Sequence, residues 1–341
     1  MTWHIRFQKS SPESASPYRL VDEKNREVDW ANDFLDGQRM RGLSPCSLRA
    51  YAFDLLNLVR WFATTSTQLS QLNQAKLRDY VRFQLDHPQK PAAQTVNHRL
   101  SVLFSLYRFY HGCDIPSQSD NPRQTRASHF GYGRTHRVLR GLRVQIPRRV
   151  VIPLSAEEVA RFWRSFRTFR DLSIVALMLF NGLRSRETLS LQLQDFHFAQ
   201  GEILVRGKGN RERLLPVAQE TIQVLQNFLQ WERPPTDSPY VFVSLKGRQR
   251  GKPMTPAGLR SLFRHHRRKT TVMKANPHRF RHTFGADMIR AGVSVPALMR
   301  LMGHSHIHTT MLYVQLSPQD VWREFHRAVL KLNRPTLPEG L

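Results

Sequence analysis

Arg184 lies in the string NGLRSRETLSL, directly after the apolar run 172–180 and its Asn181-Gly182 break. A cation whose backbone is fixed by a core can face a cleft, although the same pattern also describes an exposed helix end. Lys208 sits in VRGKGNRERLLPV, at a turn where it is either a solvated lysine or a flexible cation able to enter a nucleic-acid groove. PHRFRHTF places His278 and Arg281 at i,i+3 and His278 and His282 at i,i+4, so each pair can share a helix face. The histidine pair has zinc-ligand spacing, but it lacks the His-Glu-x-x-His glutamate and no third ligand is evident, so no metal is assigned. LMGHSHIHTTMLYVQ carries His304, His306, His308 and Tyr313. Gly303 ends one helix, Thr309 or Thr310 can cap the next, and Tyr313 then falls in its first turns, where a tyrosine is also an ordinary core residue with a satisfied hydroxyl. Taken singly, each residue has a structural explanation. Their conjunction in this order within a basic domain, each beside a Gly break or a cap, does not have that explanation.

The elements that must position these residues are legible in the apolar spacing. The stripes Leu48, Tyr51, Ala52, Leu55, Val59, Phe62 and Val96, Leu100, Leu103, Phe104, Tyr107, Tyr110 have helical period. With Trp30, Phe34, Leu35 before them and Leu77, Tyr80, Val81 between, they predict about four helices and a small all-α domain over residues 21–122. The first 20 residues, polar and Ser/Pro-rich with Trp3, Ile5 and Phe7 as early anchors, read as a tail that is disordered or lies on a neighbouring element. A second domain over 153–341 opens with a capping box at Ser155 and Glu158. It continues through the apolar helix 172–180, a short helix through Leu189 and Leu193, and a hairpin in which Ile203-Leu204-Val205 and Leu214-Leu215-Pro216-Val217 flank Gly207-Lys208-Gly209-Asn210. Helices follow at about 219–231, at 257–268 with Thr255 as N-cap and Pro256 at its first position, across 280–302, and from about 309 to the end, the last amphipathic through Trp322, Phe325, Val329 and Leu332.

The 341 residues carry 52 Lys+Arg against 26 Asp+Glu, a formal net charge of +26, so the expected partner is a polyanion, nucleic acid ahead of an anionic membrane surface. Two intervals hold no acid at all. One, read as a basic linker over 123–152, contains Arg140, Arg143, Arg148 and Arg149; the other, between Asp237 and Asp287, contains Arg248, Arg250, Arg264 and Arg267. Both are expected to contact phosphates. No apolar run approaches the ~20 residues of a membrane span and the N-terminus lacks a signal-peptide core, so a cytoplasmic protein is expected. Cys46 and Cys113 are too few for a disulfide scaffold and read as reduced thiols.

In order and spacing, Arg184, Lys208, His278, Arg281, His304 and Tyr313 resemble the catalytic set of the tyrosine recombinase (phage integrase) family. NGLRSRE is similar to its first arginine box, VRGKGNRER to its hairpin lysine, PHRFRHTF to its His-x-x-Arg box, and LMGHSHIHTTMLY to its Gly-His box with the tyrosine nine residues on. Arg186 where serine is common, and Arg279-Phe280 where an acidic or polar residue and leucine are usual, depart from the pattern away from catalytic positions. The resemblance covers 155–330, and 28–112 more loosely. It implies a mainly α fold, with an N-terminal all-α helical (SAM-like) core-binding domain and an α+β catalytic domain holding a small β-hairpin or sheet.

The resemblance further implies a site-specific recombinase that exchanges strands through a 3′-phosphotyrosine and a Holliday junction. Arg184, Arg281 and His304 would bind the phosphate, Lys208 would protonate the leaving oxygen and His278 would assist Tyr313, with Glu187 and His282 supporting them and no metal or other cofactor required. Partners would be a double-stranded recombination site and three further copies in a homo-tetramer on synapsed DNA, the free protein being monomer or dimer, with the C-terminal helix passed to a neighbouring copy. Nothing near the N-terminus reads as an arm-binding domain, which favours a simple recombinase of a mobile element or of chromosome-dimer resolution. A type IB topoisomerase, and a non-catalytic DNA-binding regulator, are the alternatives.

Overall fold

The computed structural model describes residues 2–9, 12–116, 142–146, 152–207, 211–304, 307–311, 325–326 and 329–330. The chain divides into two compact units, Met1–Arg149 and Val150–Leu341.

The first unit opens with a hairpin. Strands β1 (Trp3–Phe7) and β2 (Tyr18–Asp22) pair antiparallel, Trp3 opposite Asp22 and Phe7 opposite Tyr18. The segment expected as a tail is thus a folded sheet, because Trp3, Ile5 and Tyr18 pack against the helical core and Leu20 and Val21 are fully buried. Asn32 completes the ladder on β2 with its side chain, Oδ1 accepting from Leu20 N at 2.8 Å and Nδ2 donating to Leu20 O at 3.0 Å. Four helices follow: α1 (Asp29–Met40), α2 (Pro45–Thr65), α3 (Gln74–Leu85) and α4 (Ala93–His111). Ser44 caps α2 by accepting from Ser47 N, with Pro45 in the first turn where its missing N–H is harmless. Asn73 caps α3 in the same way, and Gly112 at φ 68° ends α4. Leu48, Ala52, Leu55, Val96, Leu100 and Leu103 bury the two predicted stripes together, around Trp61 and Tyr80 whose rings lie 4.9 Å apart.

In the second unit, Ser155 and Glu158 form the predicted capping box of α5 (Ala156–Trp163). Helix α6 (Phe169–Phe180) is buried on nearly every side, as its unbroken apolar run requires. It packs against α8 (Gln219–Asn227) and α10 (Pro277–Arg290), reached after α7 (Ser185–Ser190) and a three-stranded antiparallel sheet of β3 (Phe196–His197), β4 (Glu202–Arg206) and β5 (Glu212–Pro216). The first turn beyond α8, Phe228–Glu232, widens into a π-helix. Helix α9 (Pro256–Thr270) begins at its Thr255 cap and contributes Phe263 to a ring cluster with Phe162 and Phe280. The stretch 280–302 holds two helices, because Gly292 at φ 87° and Ser294 as N-cap separate α10 from α11 (Val295–Met302). Gly303 at φ 61° ends α11 before α12 (Ile307–Met311). Phe325 and Val329 of the predicted amphipathic segment are exposed, while Trp322 and Leu332 lie outside the described residues.

Candidate active site

Three consecutive carbonyls at the C-terminal end of α11 each receive a different guanidinium. Leu301 O accepts from Arg213 Nε at 3.1 Å, Met302 O from Arg281 Nη2 at 2.6 Å, and Gly303 O from Arg184 Nη2 at 3.1 Å. Carbonyls at a helix C-terminus have no intrahelical partner and carry the negative end of the helix dipole, so this is a natural place to gather cations. The αL conformation of Gly303 matters to the packing, since a Cβ there would lie 2.7 Å from Arg213 Nη1.

Each arginine is delivered by a rigid element. Arg184 follows the end of α6, where Gly182 takes φ 63° and presses so closely on Phe284 that a Cβ would stand 2.4 Å from its ring. Arg281 is on α10, 3% exposed, and its Nη1 donates to Gly182 O. Arg213 is on β5, where it shares the inward face with Leu215. Glu187, in the first turn of α7 and 4% exposed, binds them together. It accepts from Arg184 N at 2.9 Å and Arg184 Nη1 at 2.7 Å, takes both Nη atoms of Arg213 at 3.1 and 2.9 Å, and lies 3.9 Å from Arg281 Nη1. Burial pushes the Glu187 carboxyl up, but the hydrogen bonds from Arg213 and Arg184 outweigh it and hold it below the usual range, so it stays ionised. One buried carboxylate facing three guanidiniums leaves net positive charge, and the Arg184 side chain is 41% exposed.

His304 completes the cluster. Its Nε2 lies 2.9 Å from Arg281 Nη2 and its Nδ1 2.8 Å from Oγ1 of the fully buried Thr310. Arginine only donates, so Nε2 accepts and Nδ1–H donates to Thr310. Burial first, and then Arg281, Arg184 and Arg213, lower its pKa to about 4. In this arrangement His304 Nε2 orients Arg281, and the surrounding guanidiniums oppose an imidazolium. His278, on α10, meets His282 at 3.0 Å, Nε2 to Nε2. Burial and the nearby Arg281 and Arg279 lower the His278 pKa, and burial with His278 lowers that of His282 to about 4. Among the described residues no group of three or more His, Cys, Asp or Glu could hold a metal ion.

The structure therefore brings together Arg184, Glu187, Arg281 and His304, with His278 and His282 paired on α10. Lys208 and Tyr313 lie outside the described residues, as do Arg140, Arg148 and Arg149. Of the arginines expected on DNA, Arg248, Arg250 and Arg264 are exposed. Arg267 is half-buried, with its Nε buried. Arg143 is used within its own unit: its Nη1 donates to Asn97 O at 2.6 Å and Ser101 Oγ at 2.9 Å on α4, beside a paired Asn97 side chain and Val144 backbone. Arg143, expected as a phosphate contact, is itself exposed and has one guanidinium nitrogen engaged in this way. Arg213 was not anticipated. Its signal is a charge on the inward face of a strand that otherwise presents Leu215, which requires a buried counter-ion.

Residues 153–333 match the phage integrase family, and residues 32–111 match the phage integrase N-terminal SAM-like domain. The chain belongs to the phage integrase family, the tyrosine recombinases, enzymes that cleave and rejoin DNA strands. Transposase A from transposon Tn554 of Staphylococcus aureus is 27% identical over 339 residues, which span 91% of this chain and 93% of that protein. Tyrosine recombinase XerD of Vibrio vulnificus is 26% identical over 310 residues, 86% of this chain and 93% of the relative. In fold the chain is similar to the Tn1549 transposon integrase in complex with a circular intermediate DNA, with a TM-score of 0.67 at 17% identity over 88% of this chain and 99% of that one. It is also similar to the XerH site-specific recombinase in a post-cleavage complex with DNA, with a TM-score of 0.63 at 18% identity over 87% of this chain and 83% of that one. These likenesses bear out the mainly α fold with a SAM-like domain ahead of the catalytic one.

Proposed function

We propose that this chain moves a mobile genetic element by site-specific recombination, with Tyr313 as the nucleophile. The observation that carries the proposal is the cluster of Arg184, Arg213 and Arg281 on the end of α11 with one carboxylate among them. A phosphodiester is anionic, and a phenol with a reference pKa of about 10 is a weak nucleophile at neutral pH, so cleavage needs concentrated positive charge at the phosphorus. Arg184 and Arg281 bind the nonbridging oxygens and stabilise the charge that builds up in the pentacoordinate transition state. The incoming phosphate raises the His304 pKa and makes its protonated, donating form accessible.

In the reaction the phenol oxygen of Tyr313 attacks phosphorus while the bond to the 5′ oxygen breaks. His278 assists removal of the phenol proton, Lys208 protonates the leaving oxygen, and His282 holds His278. The 3′-phosphotyrosine keeps the energy of the broken ester, so that a 5′ hydroxyl from a second duplex can reverse the step and produce a Holliday junction without ATP. We assign residues 21–122 to core-site binding, 123–152 to a linker and 153–341 to catalysis. Arg140, Arg148 and Arg149, together with Arg248, Arg250, Arg264 and Arg267, would contact phosphates, and four protomers would work on two synapsed duplexes in the bacterial cytosol. The transposon relative, similar along 93% of its length, supports the mobile-element role.

The test uses purified full-length protein with a plasmid carrying both element junctions and with nicked suicide duplexes of each junction. Covalent adduct with excision of a circle is expected. Adduct with plasmid relaxation but no exchange would mean a topoisomerase, and binding without adduct would mean a regulator.

A further inference from the structure

We propose that Arg213 is a positioning residue of the cleavage site, the buried counter-ion of Glu187 that leaves the charges of Arg184 and Arg281 available to the scissile phosphodiester. The inference rests on the recombinase reading above and assigns a role to a residue outside the set that the resemblance implies. Arg213 is the second residue of β5, on the face that turns inward, and pairs with Val205 of β4. Its side chain is 14% exposed and Glu187 is 4% exposed, so neither is a surface charge satisfied by water.

The geometry distinguishes the three guanidiniums. Arg213 meets both carboxylate oxygens, Nη1 on Oε1 at 3.1 Å and Nη2 on Oε2 at 2.9 Å, and is itself fixed by Nε on Leu301 O at 3.1 Å. Arg184 touches the carboxylate through one Nη, and its second Nη is held on Gly303 O. Arg281 Nη1 stands 3.9 Å from Glu187 Oε2, beyond hydrogen-bond distance. A forked pair is the strongest neutralising arrangement open to a carboxylate. Arg213 therefore makes the forked pair that offsets the Glu187 charge, and the carboxylate serves Arg184 as an orienting acceptor while Arg281 is held by the carbonyls of Gly182 and Met302.

Without Arg213 the same buried carboxylate faces Arg184 and Arg281 uncompensated. The net positive charge offered to the phosphate falls by one unit at a place where little water screens it. Two of the carboxylate's hydrogen bonds vanish together, and burial then favours protonation of Glu187. Lysine at this position would restore the charge but not the fork.

The experiment is single-turnover cleavage, at saturating full-length protein and from pH 6 to pH 8, of a nicked suicide duplex carrying the junction mapped in the exchange assay. Wild type is compared with Arg213→Met, Arg213→Lys and Arg213→Met/Glu187→Gln, with DNA affinity and thermal midpoint measured alongside. Arg213→Met is expected to cleave at least ~10²-fold more slowly, the scale of losing one donor to a developing oxyanion, with DNA affinity held within about threefold. Its deficit shrinks toward pH 6 as Glu187 takes up a proton, and Glu187→Gln in the same chain recovers about tenfold or more. Arg213→Lys, which keeps the charge, stays within about tenfold of wild type. Wild-type cleavage by Arg213→Met overturns the proposal, as does a deficit that is constant with pH and unrelieved by Glu187→Gln. Should Arg213→Met fail to fold, a folded Arg213→Lys with a ~10²-fold loss overturns it too. Absence of adduct from the wild type is a separate outcome, and it contradicts the recombinase reading instead.

Discussion

Arg184 and Arg281 hold their guanidiniums on backbone carbonyls, and Arg184 also on Glu187, so the cluster is formed before any phosphate arrives and needs little reorganisation to stabilise developing charge. Arg184→Ala and Arg281→Ala should each slow single-turnover cleavage at least ~10²-fold. Near-normal cleavage by both, with circular dichroism unchanged, would place the phosphate elsewhere. The histidines give a second prediction. His282 and His304 titrate near pH 4 in the fold against an ordinary value of 6.5, because burial and neighbouring cations disfavour their charged forms. Between those values the unfolded chain binds more protons than the folded one, so stability is full above about pH 6.5 and declines as pH falls toward 4. Carboxylates titrate at the acid end as well, so the readable quantity is the difference between proteins. His304→Asn should flatten the fall of the calorimetric midpoint across that window, and an unchanged slope would show that His304 is not held neutral. Most of these residues were legible in the sequence as motifs. The partner of Glu187 was not, because alternation on β5 shows which way Arg213 points but not which buried acid it meets.

At the scale of elements, the starts of helices were the readable part. Ser155 with Glu158, and Thr255-Pro256, satisfy the first free N–H groups and stand where the helices begin. The N-terminal hairpin was hidden because ten mostly polar residues, 8–17, stand in the sequence between two five-residue strands, and neither strand shows its packing surface until α2 exists. The glycine turns separate backbone need from packing need. Gly182 and Gly42 both have positive φ, 63° and 84°, yet a Cβ at Gly182 would meet the Phe284 ring at 2.4 Å while one at Gly42 meets nothing within 4 Å. Gly42→Ala should therefore lower stability by the backbone contribution alone, about 1 kcal/mol, with cleavage unchanged. Gly182→Ala should lower it by more and also slow cleavage, since Gly182 O is a rest for Arg281. Equal effects on melting and cleavage in the two variants would contradict the role given to the end of α6.

For the whole molecule, the net charge of +26 predicts phosphate binding without saying which arginines perform it. The structure sorts them. Arg143, Arg248, Arg250 and Arg264 are all exposed, but Arg143 has its Nη1 docked on Asn97 and Ser101. Neutralising Arg248, Arg250 and Arg264 should make the slope of log K against log salt shallower by roughly 0.9 for each phosphate that is no longer paired. Arg143→Gln should leave the slope as it is, and the reverse pattern would return phosphate binding to the linker. No helix among the described residues is long and apolar enough to cross a membrane, so these charges sit on a chain without such a span there. The central claim is that this charge serves a covalent exchange of DNA strands through one phenol. Its most direct measurement is peptide mapping of the adduct trapped on a nicked suicide duplex, for wild type and Tyr313→Phe. The account predicts a DNA-linked peptide containing Tyr313 in the wild type, and no adduct with site binding nearly intact in the variant. An adduct that survives in Tyr313→Phe, or one mapped to another residue, would contradict it.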